Sequence, residues 1–175
     1  MKAKALPSVE YLRECFTYNP KTGSLKWKVR PQYHFATVAG CNQSNSRFAG
    51  KLAGPTTVSI SGEFYKGHRI AWALYYGEDP GDILLDHKDL NDQNNRIKNL
   101  RKATSSQNMC NTHAQSNSKS GVKGVCWAAR EGKWLAQVNI NGKKALFQMF
   151  PNLEDAVKAV ERTRNRVHKE FANHA

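Results

Sequence analysis

The chain has 175 residues, which is room for one average domain or for two small ones. Lysine and arginine number 27 against 14 acidic residues, so the formal net charge is +13 and the expected partner is a polyanion such as nucleic acid. No apolar run approaches the roughly 20 residues of a membrane span, and the first residues lack the features of a secretory signal. We therefore expect a cytoplasmic protein that does not bind membranes.

The first part of the chain alternates short strands and helices. The predicted elements are, in chain order, a helix capped by Ser8, strands at 25–29 and 57–62, a helix with Ile70, Ala71, Leu74 and Tyr75 on one face, and a strand at 83–87. A helix then begins at Thr104, because Thr104 and Gln107 have the spacing of a capping box. The Gly-, Ser- and Asn-rich stretch 30–54 has no sustained periodicity and is predicted to be a long surface loop.

The last third of the chain carries a simpler pattern. Strand-like runs and one helix follow one another at 123–130, 133–140, 143–150 and 153–171. The second and third runs are joined by Asn141-Gly142, the pair typical of a tight hairpin, and Asn152 is placed to cap the helix. We therefore predict a three-stranded antiparallel sheet packed on one helix.

These elements define an α+β protein with two domains. The first domain is expected to occupy residues 1–111. The polar stretch 112–121 reads as a flexible linker, and residues 122–175 form the second domain.

Polar residues suited to catalysis surround the strand at 83–87. Asp86 and His87 end that strand, Asn99 lies on the following loop, and Asn108 lies in the first turn of the next helix. An imidazole accepts a proton from water near neutral pH, and carboxylate and amide oxygens are ligands that Mg²⁺ prefers. Together these groups suffice for metal-assisted hydrolysis of a phosphodiester. The chain must bend at Asp86 and His87, because strict alternation would send their side chains to opposite faces.

The spacing of Asp86-His87, of Asn99 within NNRIKNL and of Asn108 resembles the motif of HNH nucleases, also called the ββα-metal fold. It is similar to the variant found in phage homing endonucleases, in which the last His is replaced by Asn. The resemblance covers a core of about 64–111. It implies a metal-dependent endonuclease that cleaves double-stranded DNA in the host cytoplasm and leaves 5′-phosphate and 3′-hydroxyl ends.

The resemblance also implies a role for each residue. His87 would activate water as general base, while Asp86 and Asn108 would bind one divalent ion per active site. Asn99 would hold the loop and orient His87 by hydrogen bonds, and Arg96 is a candidate for contact with a DNA phosphate. Asparagine in place of the last histidine gives an oxygen ligand, which favours Mg²⁺ or Mn²⁺ over Zn²⁺. No small-molecule cofactor is expected.

The second domain resembles the DNA-binding domain of plant APETALA2/ethylene-response-factor proteins, in SGVKGVCW, GKWLAQVNINGKK and NLEDAVKAV. In that family the sheet lies in the major groove and the helix packs behind it. The positions that match its DNA-contacting residues are Lys123, Gln137, Asn139 and Lys144. Gln and Asn can read adenine, and Lys contacts guanine or phosphate. Cys126 and Ala128 stand where the plant proteins carry arginines, so the plant target sequence is not expected.

Strand alternation assigns the two faces of this sheet. On the second strand, Trp134, Ala136, Val138 and Ile140 are expected to face the helix. On the third strand, the residues expected to face the helix are Ala145 and Phe147. The residues expected to face outward are Lys144, Leu146 and Gln148.

Several alternatives stay open at this level. His68 precedes an apolar helix and is expected to be a structural hydrogen-bonding residue. One site per chain predicts nicking by a monomer or weak dimer, and a double-strand break would need a second site or event. The chain could instead be a DNA-binding regulator with an inert nuclease site. It could also bind RNA, because basic charge alone does not distinguish RNA from DNA.

Overall fold

A computed structural model describes residues 3–114 and 118–173. The chain divides into two compact units, Met1–Lys102 and Ala103–Ala175. The helix that carries Asn108 therefore belongs to the second unit, whereas the sequence placed it in the first domain. Within the described residues, no helix is long and apolar enough to cross a membrane.

The described residues of the first unit contain three α-helices and the strands of three two-stranded sheets, of which the last strand ends at Ala103. Its elements are α1 (Val9–Cys15), β1 (Phe16–Tyr18), β2 (Leu25–Trp27), α2 (Val38–Phe48), β3 (Thr57–Ile60), β4 (Glu63–Lys66), α3 (Gly67–Tyr76), β5 (Leu84–His87) and β6 (Leu100–Ala103). Strand β1 pairs with β2, β3 with β4, and β5 with β6. Ser8 caps α1 as predicted, since its side chain accepts a hydrogen bond from the backbone N–H of Tyr11.

Helix α3 is buried on two sides. Ile70 and Ala73 join the main core with Leu12 of α1, whereas Trp72 packs with Leu100 of β6 in a second cluster. Of the residues predicted to share one face, Ile70 and Ala71 are buried, whereas Tyr75 is half exposed. A helix covered on two sides does not show the single apolar stripe on which the prediction relied.

The stretch 30–54, predicted as a loop, contains helix α2. Thr37 caps the helix by accepting a hydrogen bond from the backbone N–H of Gly40. On the inner side, the Asn45 amide bonds both the backbone N–H and the carbonyl of Arg30 at 2.9 Å. Helix α2 is thus held by polar contacts, so hydrophobic periodicity could not reveal it.

The second unit is built on a three-stranded antiparallel sheet. Its elements are α4 (Ser105–Cys110), β7 (Val125–Ala128), β8 (Lys133–Ile140), β9 (Lys143–Phe150) and α5 (Leu153–His168). The strand order is β7-β8-β9, and Val125, Ala136 and Val138 share a core with Ala156 and Val160 of α5.

The capping residues and the hairpin turn predicted for this unit are confirmed. Thr104 and Gln107 form the capping box that starts α4, and the Asn152 side chain caps α5. Asn141 and Gly142 both adopt positive φ, at 49° and 75°, as a tight hairpin requires.

Part of the predicted linker is structured. The Ser120 hydroxyl donates to the carbonyl of Val125 at 2.6 Å and accepts from the backbone N–H of Val122 at 3.1 Å. Residues 115–117 of the linker lie outside the described residues. The end of the stretch therefore forms the entry into β7.

A β-bulge changes which residues of β9 face the helix. The register shifts between Val138 and Asn139, so Leu146 pairs with buried Val138 and packs against the core. Phe147 pairs with exposed Gln137 and is 53% exposed. The prediction that Phe147 faces the helix and Leu146 faces outward was wrong, because an extra residue in one strand inverts the alternation beyond it.

The bulge makes a prediction about stability. Leu146→Ala is expected to lower the free energy of unfolding by about 2 kcal/mol, because it removes buried methyl groups. Phe147→Ala is expected to cost less than about 1 kcal/mol, mainly through the contact of its ring with Lys144. Urea unfolding of both variants measures the difference, and a larger loss for Phe147→Ala would contradict the register.

Candidate active site

Asp86 and His87 lie at the end of β5 and are both buried, with relative exposures of 5% and 9%. The apolar residue Leu85 packs against the cluster of Ala71, Trp72 and Leu100. Packing of this short strand therefore brings an acid and an imidazole into the interior, where polar groups need partners.

Asp86 is paired with Arg101 on the neighbouring strand β6. The Nη2 and Nε atoms of Arg101 lie 2.7 and 2.8 Å from the same oxygen, Oδ2 of Asp86. Both side chains are largely buried. The pair fixes the orientation of the carboxylate, because a guanidinium fork tolerates little rotation.

His87 is held by the side chain of Asn95. Its Nε2 lies 3.1 Å from Oδ1 of Asn95, which is only 1% exposed. The sequence assigned orientation of this ring to Asn99, and the role of Asn99 toward His87 stays a prediction. Neither Asn95 nor Arg101 was found from the sequence, since nothing in NDQNNR marks which asparagine is buried.

Asn99 holds the loop that leaves β5. Its carbonyl accepts from the backbone N–H of Lys88 at 2.9 Å, and its Nδ2 donates to the Asn94 carbonyl at 2.8 Å. The same Nδ2 also donates to Oδ1 of Asp89 at 2.9 Å. Burial alone would raise the pKa of the Asp89 carboxyl, but hydrogen bonds from Asn94, Asn91 and Asn99 outweigh it and lower that pKa.

His68, at the start of α3, stands edge-on to His87. The two ring centroids are 5.0 Å apart, and the rings are nearly perpendicular at 85°. Burial, with smaller contributions from His87, Arg69 and Lys66, lowers the pKa of His68 to about 4. His68 therefore carries no charge at neutral pH.

The other predicted site residues occupy different places. Arg96 is exposed on the loop between β5 and β6. Asn108 lies in α4 of the second unit, where its backbone N–H donates to the Thr104 carbonyl. Gln137, Asn139 and Lys144 are exposed on β8 and β9, and the Lys144 ammonium lies 3.8 Å from the centroid of the Phe147 ring.

Lys123, predicted to contact DNA, is directed at the end of α4. Its ammonium donates to the carbonyls of Met109, Cys110 and Thr112 at 2.8, 3.1 and 3.4 Å, and also to the Thr112 hydroxyl. Burial, followed by the positive charge of Arg164, lowers the pKa of Lys123. Lys123 thus donates hydrogen bonds to carbonyl oxygens at the end of a helix, which have no partner within the helix.

The donor chemistry of the predicted metal ligands fits a hard cation. As ligands, Asp86 would supply a carboxylate oxygen and Asn108 an amide oxygen, donor types that suit Mg²⁺ or Mn²⁺ rather than a thiophilic ion. Among the described residues, no three His, Cys, Asp or Glu side chains come together as a metal-binding group. The predicted ligands Asp86 and Asn108 are one carboxylate and one amide, so they do not make up a group of that kind.

Comparison with known proteins identifies the domain around this site. Residues 65–110 match the family model of an HNH endonuclease. The chain is 33% identical over 113 residues to Protein 3.8 of Escherichia phage T7, covering 63% of this chain and 93% of that protein. It is 35% identical over 106 residues to the Uncharacterized HNH endonuclease L560 of Acanthamoeba polyphaga mimivirus, covering 60% of this chain and 54% of the relative. No solved structure matches the chain.

The matched domain contains Asp86, His87, Asn95, Asn99 and Asn108. The enzyme is therefore an HNH-type nuclease, and its domain implies DNA as the substrate. At the identity and coverage found, the chain belongs to the family of Protein 3.8 of phage T7.

The low pKa of His68 predicts acid sensitivity of the fold. Unfolding restores an ordinary histidine pKa of about 6.5, so between that value and about 4 the unfolded chain binds more protons than the folded one. The free energy of unfolding therefore falls as pH drops through this window. We expect His68→Gln to lose less stability than wild type between about pH 7 and about pH 5 in urea unfolding. Equal losses would show that His68 is not the group responsible.

Proposed function

We propose that the protein is a metal-dependent, site-recognising endonuclease of the homing type that nicks duplex DNA. The observation that carries the proposal is the buried Asp86-His87 pair at the end of β5, inside the matched HNH region. An imidazole beside a carboxylate supplies a general base and an oxygen ligand, which suit phosphodiester hydrolysis with a divalent ion. The strands β5 and β6 followed by α4 are the proposed ββα-metal unit.

His87 is the general base of the proposed reaction. Its imidazole takes a proton from the attacking water, and Asn99 keeps the loop after β5 closed behind it. Asp86 and Asn108 are the proposed ligands of one Mg²⁺ or Mn²⁺ ion. That ion, when bound, stabilises charge that develops on the phosphate oxygens and on the departing 3′ oxygen. The products are a 5′-phosphate and a 3′-hydroxyl.

The outer face of the β7-β8-β9 sheet is the proposed DNA-reading surface, in the manner of an APETALA2-like domain. Gln137 and Asn139 are exposed, and the register pairs Asn139 with Lys144. Amides beside a cation suit contact with base edges and a phosphate. Lys123 is not part of this proposal because its ammonium is bound to the end of α4. Arg96 is a proposed phosphate contact of the nuclease unit.

One site per chain makes nicking the expected reaction of a monomer or weak dimer acting in the host cytoplasm. A double-strand break would require two chains or two events. The proposal is stated for duplex DNA, with RNA as the competing ligand to be tested.

One prediction of this proposal concerns cleavage. Wild-type protein with Mg²⁺ is expected to convert supercoiled plasmid into relaxed circles, and EDTA is expected to abolish the reaction. His87→Ala is expected to slow nicking at least about 100-fold, because a positioned general base contributes roughly that much. Gel analysis of plasmid forms over time measures both effects.

Two outcomes would redirect this proposal. Linear product formed as fast as relaxed circles would indicate paired active sites. Wild type and His87→Ala that are equally inactive on host and phage DNA, while both bind duplex tightly and sequence-specifically, would favour a regulator with an inert site.

The second prediction concerns the sheet. Gln137→Ala is expected to weaken binding of the preferred duplex about tenfold, since one lost amide contact to a base costs about 1–3 kcal/mol. Gln148→Ala is the matched control, because Gln148 lies on the same sheet but pairs with inward-facing Ala136. Titration of labelled duplex at fixed salt, without divalent ions and with RNA as competitor, measures both. Equal effects of the two variants, or preferential competition by RNA, would contradict the proposed surface.

A further inference from the structure

We propose that Phe147 is a specificity-determining residue, whose ring contacts the 5-methyl group of a thymine next to the adenine that Gln137 reads. The inference rests on the proposed use of the outer face of the β7-β8-β9 sheet, the side away from α5, for reading DNA. It adds to that proposal a preference of the sheet for A·T base pairs.

The β-bulge puts an aromatic ring on the outer face of the sheet. Ala145 and Leu146 both pack against the core with α5, whereas Phe147 pairs with exposed Gln137 and is 53% exposed. Two consecutive inward residues follow from the extra residue that a bulge adds to one strand. Without the bulge, strict alternation would turn the Phe147 ring toward the helix and Leu146 outward.

The ring has an amide and a cation as its neighbours. Gln137 and Phe147 are directly opposite each other in the register of β8 and β9. Residues placed in this way have Cβ atoms about 5 Å apart. Asn139 is opposite Lys144, whose ammonium lies 3.8 Å from the centroid of the Phe147 ring. An apolar group and hydrogen-bonding groups therefore lie side by side on one exposed surface.

An A·T pair offers both features that this combination fits. In the major groove, adenine presents a donor and an acceptor that an amide side chain bonds bidentately, and thymine presents its 5-methyl group. A phenyl ring against that methyl group removes apolar surface from water. Cytosine carries no methyl group at this position, and guanine presents two acceptors instead of the adenine pattern. Gln137 and Phe147 together therefore favour adenine and thymine.

The charge around the sheet makes DNA the partner that this face fits. Glu131 is the only acidic residue from 125 to 150. Four exposed basic residues flank the strands: Arg130, Lys133, Lys143 and Lys144. Such a surface attracts a phosphate backbone and repels a second copy of itself. The matched nuclease domain also implies DNA as the substrate of the chain.

Removal of one methyl group from the DNA tests the inference. The probes are the alternating duplex of dA and dT and the matching duplex of dA and dU, which differ only in the 5-methyl group. Titration of the full chain at fixed salt, without divalent ions, measures both affinities. Wild type is expected to bind the thymine duplex about fourfold more tightly, which is the effect of burying roughly one methyl-sized group. Equal affinities in wild type would overturn the proposal, whatever the variants do.

Two phenylalanine substitutions separate the contact from general effects on the DNA or the protein. Phe147→Ala is expected to bind the thymine and uracil duplexes equally, and urea unfolding checks that it is folded. Phe64→Ala is the matched control, because Phe64 is 67% exposed on β4 of the first unit. This control is expected to keep the fourfold preference. A Phe147→Ala protein that still prefers thymine, or a Phe64→Ala protein that does not, would contradict the assigned contact.

Binding by Gln137→Ala distinguishes failure of this inference from failure of the proposed reading surface. If Gln137→Ala and Phe147→Ala both leave duplex binding unchanged, the sheet does not read DNA and both proposals are wrong. If Gln137→Ala weakens binding but wild type does not distinguish thymine from uracil, only the role of Phe147 is wrong. Wild-type dimers that Phe147→Ala converts to monomers in analytical ultracentrifugation would show that the face binds a second copy instead of DNA.

Discussion

The hydrogen bond from the Asn95 amide to the Pro55 carbonyl joins two segments of the first unit that are 40 residues apart in sequence. On one side lies the turn before β3, and on the other lies the loop that leaves β5 with His87 at its base. Because an amide has distinct donor and acceptor ends, this single contact fixes the orientation of the Asn95 side chain as well as its position. Few other side chains could do so, since a hydroxyl can rotate and a carboxylate offers no donor.

Two consecutive residues of β5 are stabilised in different ways. The Asp86 carboxylate is buried against the Arg101 fork, a contact between full charges that fixes it to β6. His87 is held by a neutral amide and lies beside a second imidazole that burial keeps uncharged. The end of the strand thus places an ion-paired carboxylate next to a ring that is held by a neutral amide.

The sequence predicted those elements whose causes are local. The caps at Ser8, Thr104 and Asn152 were found because each contacts a residue three positions away. Helix α2 was missed because polar contacts hold its inner face. The predicted faces of Leu146 and Phe147 were reversed because strand alternation does not reveal a bulge. Asn95 and Arg101 escaped notice because their partners, Pro55 and Asp86, are distant in sequence and carry no pattern that marks them.

A methyl group on Gly67 would lie 2.0 Å from the Pro55 oxygen, and this close approach has a consequence for how such enzymes are assembled in evolution. Gly67 lies inside the matched HNH region, whereas Pro55 lies before it. In this chain the matched region therefore contacts a carbonyl that the preceding segment supplies. A recombination event that joined residues 65–110 to a different upstream partner would have to supply a carbonyl at the same place. An exchange point upstream of Tyr18, whose hydroxyl donates to the Asn95 carbonyl, would move the whole arrangement as one unit of inheritance.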